Sequence, residues 1–471
     1  MIQPARPRLH YTASATWLND PNGLIHHNGE WHLFYQNNPY ANVWGNMSWG
    51  HAVSADLVEW RELEVALRAT DEVEYFSGSC VHDVANSSGL GRDGKGPLVA
   101  IFTENYSASS PRSGTQAQGL AYSLDDGRTF TTYQANPVLT RHSADFRDPK
   151  VTWLDGHDFW LMTAVEATDN IVTFYRSDNL IDWTLLSEFG PANALAPTWE
   201  CPDLFPLMVE GTGATKWVLL VSVNPEGLYG GSSVQYFVGD FDGQTFRAET
   251  TTSTDPRDYN WLDFGSDFYA PITFNNVPDG RRVTMGWMSN WTYARQVPTA
   301  PWRGSMSVPR ELSLVRKDGR YLVRQRPARE LTLTGTGEVL ARNTVLAEER
   351  VLLDEFSVGV VSLRVCPTSG PLTVTLGDVR IVYQDSRLEL GREPGPGWSI
   401  HPDFTRTQWV QAPLEDGRLE LLLVVDHGSI EVFAQDGLYV ITSLTSEQQN
   451  REFKIAAQGG AVMEEVRAAR W

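Results

Sequence analysis

Apolar positions along the chain fall in short runs of strand length rather than at helical spacing. The runs "WHLFYQ", "PLVAIFTEN", "DFWLMTAVE", "KWVLLVSVN" and "RRVTMGWM" are separated by Gly, Asn, Asp and Pro, residues that break strands and form turns. The pattern predicts an all-β chain. A weak repeat overlies it: "AVSADLVEW" ends at Trp60, "AYSLDDGRTF" at Phe130, "YRSDNLIDW" at Trp183 and "YFVGDFDGQTF" at Phe246. Each unit reads as a strand, an Asp-containing turn and an aromatic. By subtraction the terminal aromatics are 70, 53 and 63 residues apart. Repeats of ~40–50 residues or a little more, each with about four strands, mark propeller blades; a row of generic hairpins is the plainer reading. Residues 1 to 330 hold about five such units, the last around "DFYAPITF" and "RRVTMGWMSNW".

Near residue 328 the texture changes, and "RQRPARELTLTGTGEVL" reads as a boundary. Beyond it "FSVGVVSLRV", "LTVTLGDVRIVY", "LELLLVVDHGSIEVFAQDG" and "YVITSL" alternate apolar and polar positions, and Trp occurs only at 398, 409 and 471. This predicts a β-sandwich over 331–471, acting as support for the first 330 residues.

Composition narrows the function classes. With 471 residues, 41% hydrophobic and 20% charged, the chain fits a globular protein of two or three domains. A net charge of −20 opposes binding to nucleic acid or to an anionic membrane surface. It suits a neutral substrate such as a sugar, for which 17 Trp, 16 Tyr and 19 Phe offer apolar platforms as well as core. Cys80, Cys201 and Cys366 are far apart and odd in number, so they predict reduced thiols rather than a disulfide or zinc framework. No apolar leader core is visible in "MIQPARPRLHYT". The expectation is a cytoplasmic protein, or a secreted one whose leader has been replaced by Met1.

Among 58 acidic residues, three stand out by setting. Asp20 lies in "WLNDPNG", Asp148 in "FRDPK" and Glu200 in "WECPD". Each follows an aromatic and is closely followed by proline, which fixes φ and cannot donate to a ladder. Each string therefore reads as a strand end aiming a carboxylate, with Pro21, Asn22 and Gly23 reversing the chain; ordinary turns with solvated acids fit the same pattern. Cleaving a glycoside needs two carboxyl groups in different protonation states. Glu200, between Trp199 and Cys201, is expected to be the more desolvated. Asp20, among turn amides, is expected to stay ionised, and Arg147 to keep Asp148 charged.

Seven motifs in order, "WLNDPNG", "FYQNNP", "WGNMSWGHA", "FSGS", "FRDP", "WECPD" and "GWMSNW", resemble glycoside hydrolase family 32, the invertases, exo-inulinases, levanases and fructan exohydrolases. "SIEVFAQDG" resembles that family's C-terminal module. The resemblance implies a five-bladed β-propeller followed by a β-sandwich, and hydrolysis with retention, without metal or cofactor. Carried over by residue, Asp20 is the nucleophile, Glu200 the acid and then base, and Asp148 a stabiliser that binds fructose hydroxyls. Asn19, Gln36 and Arg147 hydrogen-bond the sugar, Trp44, Phe76 and Trp287 form an apolar wall, Ser77 adds a polar contact and Tyr269 approaches the acid. Trp49, Trp60, Trp183 and Trp291 are expected in blade cores, His51 in a structural hydrogen bond, and Cys201 packed beside Glu200. Finer similarity favours exo-inulinases and levanases over plant invertases. The expected activity is release of terminal fructose from fructans, fructo-oligosaccharides or sucrose. A fructosyltransferase on the same fold, or a non-catalytic fructan binder, is the alternative. The loops "ENYSASSPRSGTQAQG" and "NPEGLYGGSSV" are candidate pocket rims.

Overall fold

The computed structural model describes residues 5–249, 255–332, 336–446 and 451–471. Five antiparallel sheets surround an axis as a five-bladed β-propeller, and a two-sheet β-sandwich follows. The inner strands of blades I to V are Thr16–His27, Val73–His82, Phe146–Leu154, Thr198–Met208 and Tyr269–Thr273. Consecutive inner strands touch, and the fifth touches the first, closing the ring. The closure is reinforced by Trp302–Arg303, which pairs in parallel with Thr16 and Trp17.

The apolar runs seen in the sequence are the second strands of the blades, buried on both faces, which explains their near-continuous hydrophobicity. Their side chains fill the gaps between blades. Phe34 and Trp49 pack with Leu98 and Phe102 between blades I and II, and Leu161 and Val165 with Trp199 and Leu219 between III and IV. The repeated Asp-containing units are the turns from third to fourth strand. Asp56 accepts from the Val58 and Glu59 amides, Asn179 from Ile181 and Asp182, and Asp242 from Gln244 and Thr245, the local bonding that suits Asx residues to turns.

The strings around Asp20, Asp148 and Glu200 correct the expectation of strand ends. No reversal occurs at Pro21–Gly23; the strand runs on to His27 and turns afterwards. Each string lies in the first half of an inner strand that continues beyond it, where the ladder slips: between Leu18 and Pro21, Arg147 and Lys150, and Glu200 and Asp203. The same slip occurs between Tyr75 and Gly78 and between Tyr269 and Ile272. All five inner strands thus carry a β-bulge, two residues facing one, which bends the strand and re-aims side chains. Asp148, Cys201 and Ala270 adopt positive φ of 60, 48 and 50° in these bulges. Proline suits the position because a bulge residue needs no ladder N–H. Neighbouring blades satisfy the freed backbone groups: Gln36 donates to Tyr75 O, Asp148 N to Thr103 Oγ1, Thr163 Oγ1 to Pro202 O, and Ala270 N to Ser222 Oγ, at 2.8–3.1 Å.

The sandwich comprises two six-stranded sheets around one apolar core. The boundary stretch 324–340 passes through 333–335, which lie outside the described residues. Where propeller meets sandwich, buried charges are matched. Arg310 reaches Asp263 at 2.9 Å and Glu431 at 3.0 Å. His10 bridges Asp426 and Glu431 at 2.8 and 2.9 Å, and Arg392 pairs with Asp267 at 2.5 Å.

Candidate active site

One end of the propeller axis opens into a pocket of about 290 Å³. The bulges line it: Asn19 and Asp20 from blade I, Phe76 and Ser77 from II, Arg147 and Asp148 from III, and Glu200 from IV. Gln36 and Trp44 complete the side formed by blade I. Residues far apart in sequence meet because each bulge sits at the same level of its blade.

Asp20 is held by a relay. The Trp17 indole donates to Asn19 Oδ1 at 2.6 Å, and Asn19 Nδ2 to Asp20 Oδ1 at 3.0 Å. Ser77 Oγ donates to the other Asp20 oxygen at 2.9 Å. Dense protein around the carboxyl, and then the nearby Glu200 charge, push Asp20 up to about 6 despite these donors. Asp148 is also raised, first by burial and then by Glu200 and Asp20, with Arg147 opposing. Its Oδ2 accepts from the Cys201 amide at 2.9 Å, so it is pinned in place. Glu200 keeps 22% of its side chain exposed. Its oxygens take hydrogen bonds from Arg147 Nη2 at 3.1 Å and from the Tyr269 hydroxyl. Burial and the Glu200 charge keep that phenol protonated. Sequence reasoning placed the strongest desolvation at Glu200; the geometry puts it at Asp20 and Asp148, because Glu200 sits farther toward the mouth.

Arg147 is the cation amid the three carboxylates. Burial alone lowers its guanidinium, and Glu200, Asp148 and Asp145 together raise it. The Cys201 thiol lies 3.8 Å from Asp20 and 3.7 Å from Asp148. Burial and then those charges raise it well above its ordinary value, so it remains a neutral thiol and a poor nucleophile.

The apolar wall differs from expectation in one member. Trp44, 37% exposed, and Phe76 meet edge to face at 6.0 Å. Trp287 is fully buried and lines no part of the pocket. It lies across the ladder from Tyr269, inside a cluster with Trp17 and Trp291. Trp291, expected in a core, stacks on Trp17 at 5.9 Å and faces the pocket. Trp287 lies in the strand Arg282–Met288 and Trp291 three residues beyond its end, where the turn brings it back over Trp287 at 4.8 Å. Gln116, Asn224 and Arg295 also line the pocket and were missed. The first two belong to the Gly- and Ser-rich stretches already read as rims, and Arg295 lies over Trp44 at 5.9 Å. Trp49 and His51 lie in the core: Trp49 donates to Phe76 O, and His51 bonds His32 at 3.1 Å. No group of three or more His, Cys, Asp or Glu suited to a metal ion occurs among the described residues.

Comparison with known proteins gives one consistent answer. The model of the glycosyl hydrolases family 32 N-terminal domain matches residues 10–327, and that of the family's C-terminal domain matches 378–469. A levanase of Bacillus subtilis is 41% identical over 97% of this chain and 69% of its own. The crystal structure of an exo-inulinase from Aspergillus awamori superposes with a TM-score of 0.92 at 35% identity, covering 99% of this chain and 98% of its own. A β-fructofuranosidase from Schwanniomyces occidentalis, complexed with fructosyl-erythritol, superposes with a TM-score of 0.88 at 30% identity, covering 99% and 97%.

Proposed function

The chain belongs to glycosyl hydrolase family 32, and from that premise we propose an assignment of chemistry to its pocket. The protein is a glycoside hydrolase that releases terminal fructose units from fructans, fructo-oligosaccharides or sucrose. Asp20 attacks C2 of the terminal fructosyl unit as Glu200 gives its proton to the departing oxygen, leaving a fructosyl ester on Asp20. Glu200, now a carboxylate, takes a proton from water. The water oxygen bonds to C2, the ester bond breaks, and configuration is retained. Asp148 and Arg147 hold the sugar hydroxyls. The crowded carboxylates favour the positive charge that develops on the ring.

One observation carries this reading: carboxyl groups from three separate inner strands converge in one pocket. At about 290 Å³ it lies at the lower end of the ~300–1,000 Å³ range for small-molecule sites. Deeper along the axis, Asn275 Nδ2 bonds Cys80 O and Val151 O at 2.9 and 3.0 Å, tying the inner strands of blades II and III together. A pocket of this volume on the propeller axis admits a chain end rather than a chain middle, which supports exo-action. Residues 1–330 are assigned to catalysis and 331–471 to support. Secretion, as for the relatives named extracellular, is part of the proposal and is tested by assaying cells and medium separately.

The test is product analysis on sucrose, inulin and levan, with proton NMR following the anomer first released. Free fructose appearing first as the β-anomer fits; the α-anomer, or longer oligosaccharides as the main product at high sucrose, overturns the reading. Glu200→Ala is expected to lose about 10²–10⁴-fold in rate and to recover with azide, giving fructosyl azide.

A further inference from the structure

At the opposite end of the propeller axis a second cavity, of about 540 Å³, is lined by the far halves of the inner strands. It shares no lining residue with the catalytic pocket, and Asn275, bonded to Cys80 O and Val151 O, lies in its wall. Its inner wall holds Lys150, Asp203 and Arg282. Lys150 Nζ donates to Thr273 O at 2.5 Å and lies 3.9 Å from Asp203 Oδ2. That same Asp203 oxygen accepts from Thr273 N and Oγ1 at 2.7 and 2.8 Å, while Asp203 Oδ1 is buried with no partner.

Arg282 is the unexplained member. Its Nε is buried without a hydrogen-bond partner. Asp203 is the carboxylate that acts on its charge, and its guanidinium lies over the Phe205 ring at 5.2 Å. The other arginine and the other buried carboxylate of the cavity are already engaged. Arg281 is bound by Asp279, Glu311 and Glu330. Asp83 accepts from the amides and hydroxyls of Ser87 and Ser88. Asp155 stands exposed at the mouth. Buried Lys150 and half-buried Arg282 therefore share Asp203 as the carboxylate left to them, in a chain of net charge −20. Burial lowers both Lys150 and Arg282 from their ordinary values, as expected for positive charge short of partners.

We propose that this cavity binds a small oxyanion-bearing ligand, a phosphate or carboxylate group, held by Arg282 and Lys150. A planar guanidinium with a free N–H edge suits a two-pronged bond to such a group. Asp203 Oδ1 accepts from a hydroxyl of the same ligand. The volume exceeds that of a bare ion, and Trp153, 41% exposed and packed on Trp160 at 5.1 Å, offers a face for an attached sugar. The inference stands independently of the hydrolytic assignment.

The test is calorimetric titration of the intact protein with inorganic phosphate, a hexose monophosphate, acetate and fructose. Each anion is titrated with and without excess fructose, which covers Arg147 in the catalytic pocket. Saturable one-to-one binding of an anion is expected, weakened at least about tenfold by Arg282→Gln. If Arg282→Gln does not fold, Val84→Glu serves instead. Val84 is 71% exposed at the mouth, so the variant should fold normally and weaken binding several-fold by repulsion. A hexose monophosphate binding tighter than phosphate identifies a sugar phosphate; phosphate binding equally well identifies a free anion, and acetate binding best identifies a carboxylate. No saturable anion binding, binding that fructose displaces, or binding unchanged in the variants overturns the proposal.

Discussion

The catalytic pocket and the seam between propeller and sandwich are built from the same groups with different pairing. At the seam, Arg310 and His10 are shared among Asp263, Glu431 and Asp426, and Arg392 is bound to Asp267. In spite of burial, His10 lowers Asp426, and Arg310 with His10 lowers Glu431. In the pocket, Asp20, Asp148 and Glu200 crowd around Arg147, and burial with mutual repulsion raises Asp20 and Asp148. Matched charge holds two domains together; unmatched charge is kept where a cationic transition state will complete it. Fold stability and chemistry are thus assigned to different places on one chain.

The largest test of this contrast removes charge from each region in turn. Asp20→Ala is expected to lower fructose release on the order of 10⁴–10⁶-fold, with a melting temperature no lower than that of the parent. A variant that keeps activity, or one that unfolds, breaks the contrast. Arg310→Met does the reverse: it strands Asp263 and Glu431 and should destabilise by about 3–5 kcal/mol, measured by denaturant unfolding. Activity per folded molecule should be unchanged.

The pH dependences should share a sign but fall in different windows. Asp20 has a folded pKa of about 6, above its unfolded value of about 3.9. Its contribution to stability is present below the unfolded value and is lost as pH rises through about 6. Asp20→Asn should therefore melt higher than the parent at pH 7, with the difference vanishing near pH 4, while parental activity falls as pH drops through 6. His10 is raised to about 9, because Asp426 and Glu431 outweigh the opposing effect of burial. Its contribution is complete below the unfolded value of ~6.5 and is lost as pH rises through about 9. The stability difference between the parent and His10→Ala should shrink over that window, by less than the Arg310 effect; a constant difference would contradict the pairing.

The second strands and the blade turns were legible in the sequence because burial on both faces and Asx chemistry are local signals. The three carboxylates were legible as odd settings, and the family motifs supplied their roles. The inner strands were misread, since Pro, Asn and Gly in "WLNDPNG" mark a turn by composition. That they form a bulge instead depends on Gln36, Thr103, Thr163 and Ser222, hydrogen-bonding partners distant in sequence. The exchange of Trp287 for Trp291 on the pocket wall was invisible for a similar reason: which of two nearby indoles faces solvent depends on the closing turn, and the residue types are identical.

The five bulges also decide which genetic changes this enzyme can absorb. A substitution within a bulge alters what the pocket presents and leaves the frame of the strand intact. Losing one residue there is a different event. With a period of two, every side chain beyond the deletion exchanges one neighbouring blade for the other, so in blade IV Leu204, packed toward blade III, and Phe205, packed toward blade V, would trade surroundings while Glu200 kept its own. Specificity in this scaffold should drift by point replacement, and the lengths of its inner strands should stay fixed.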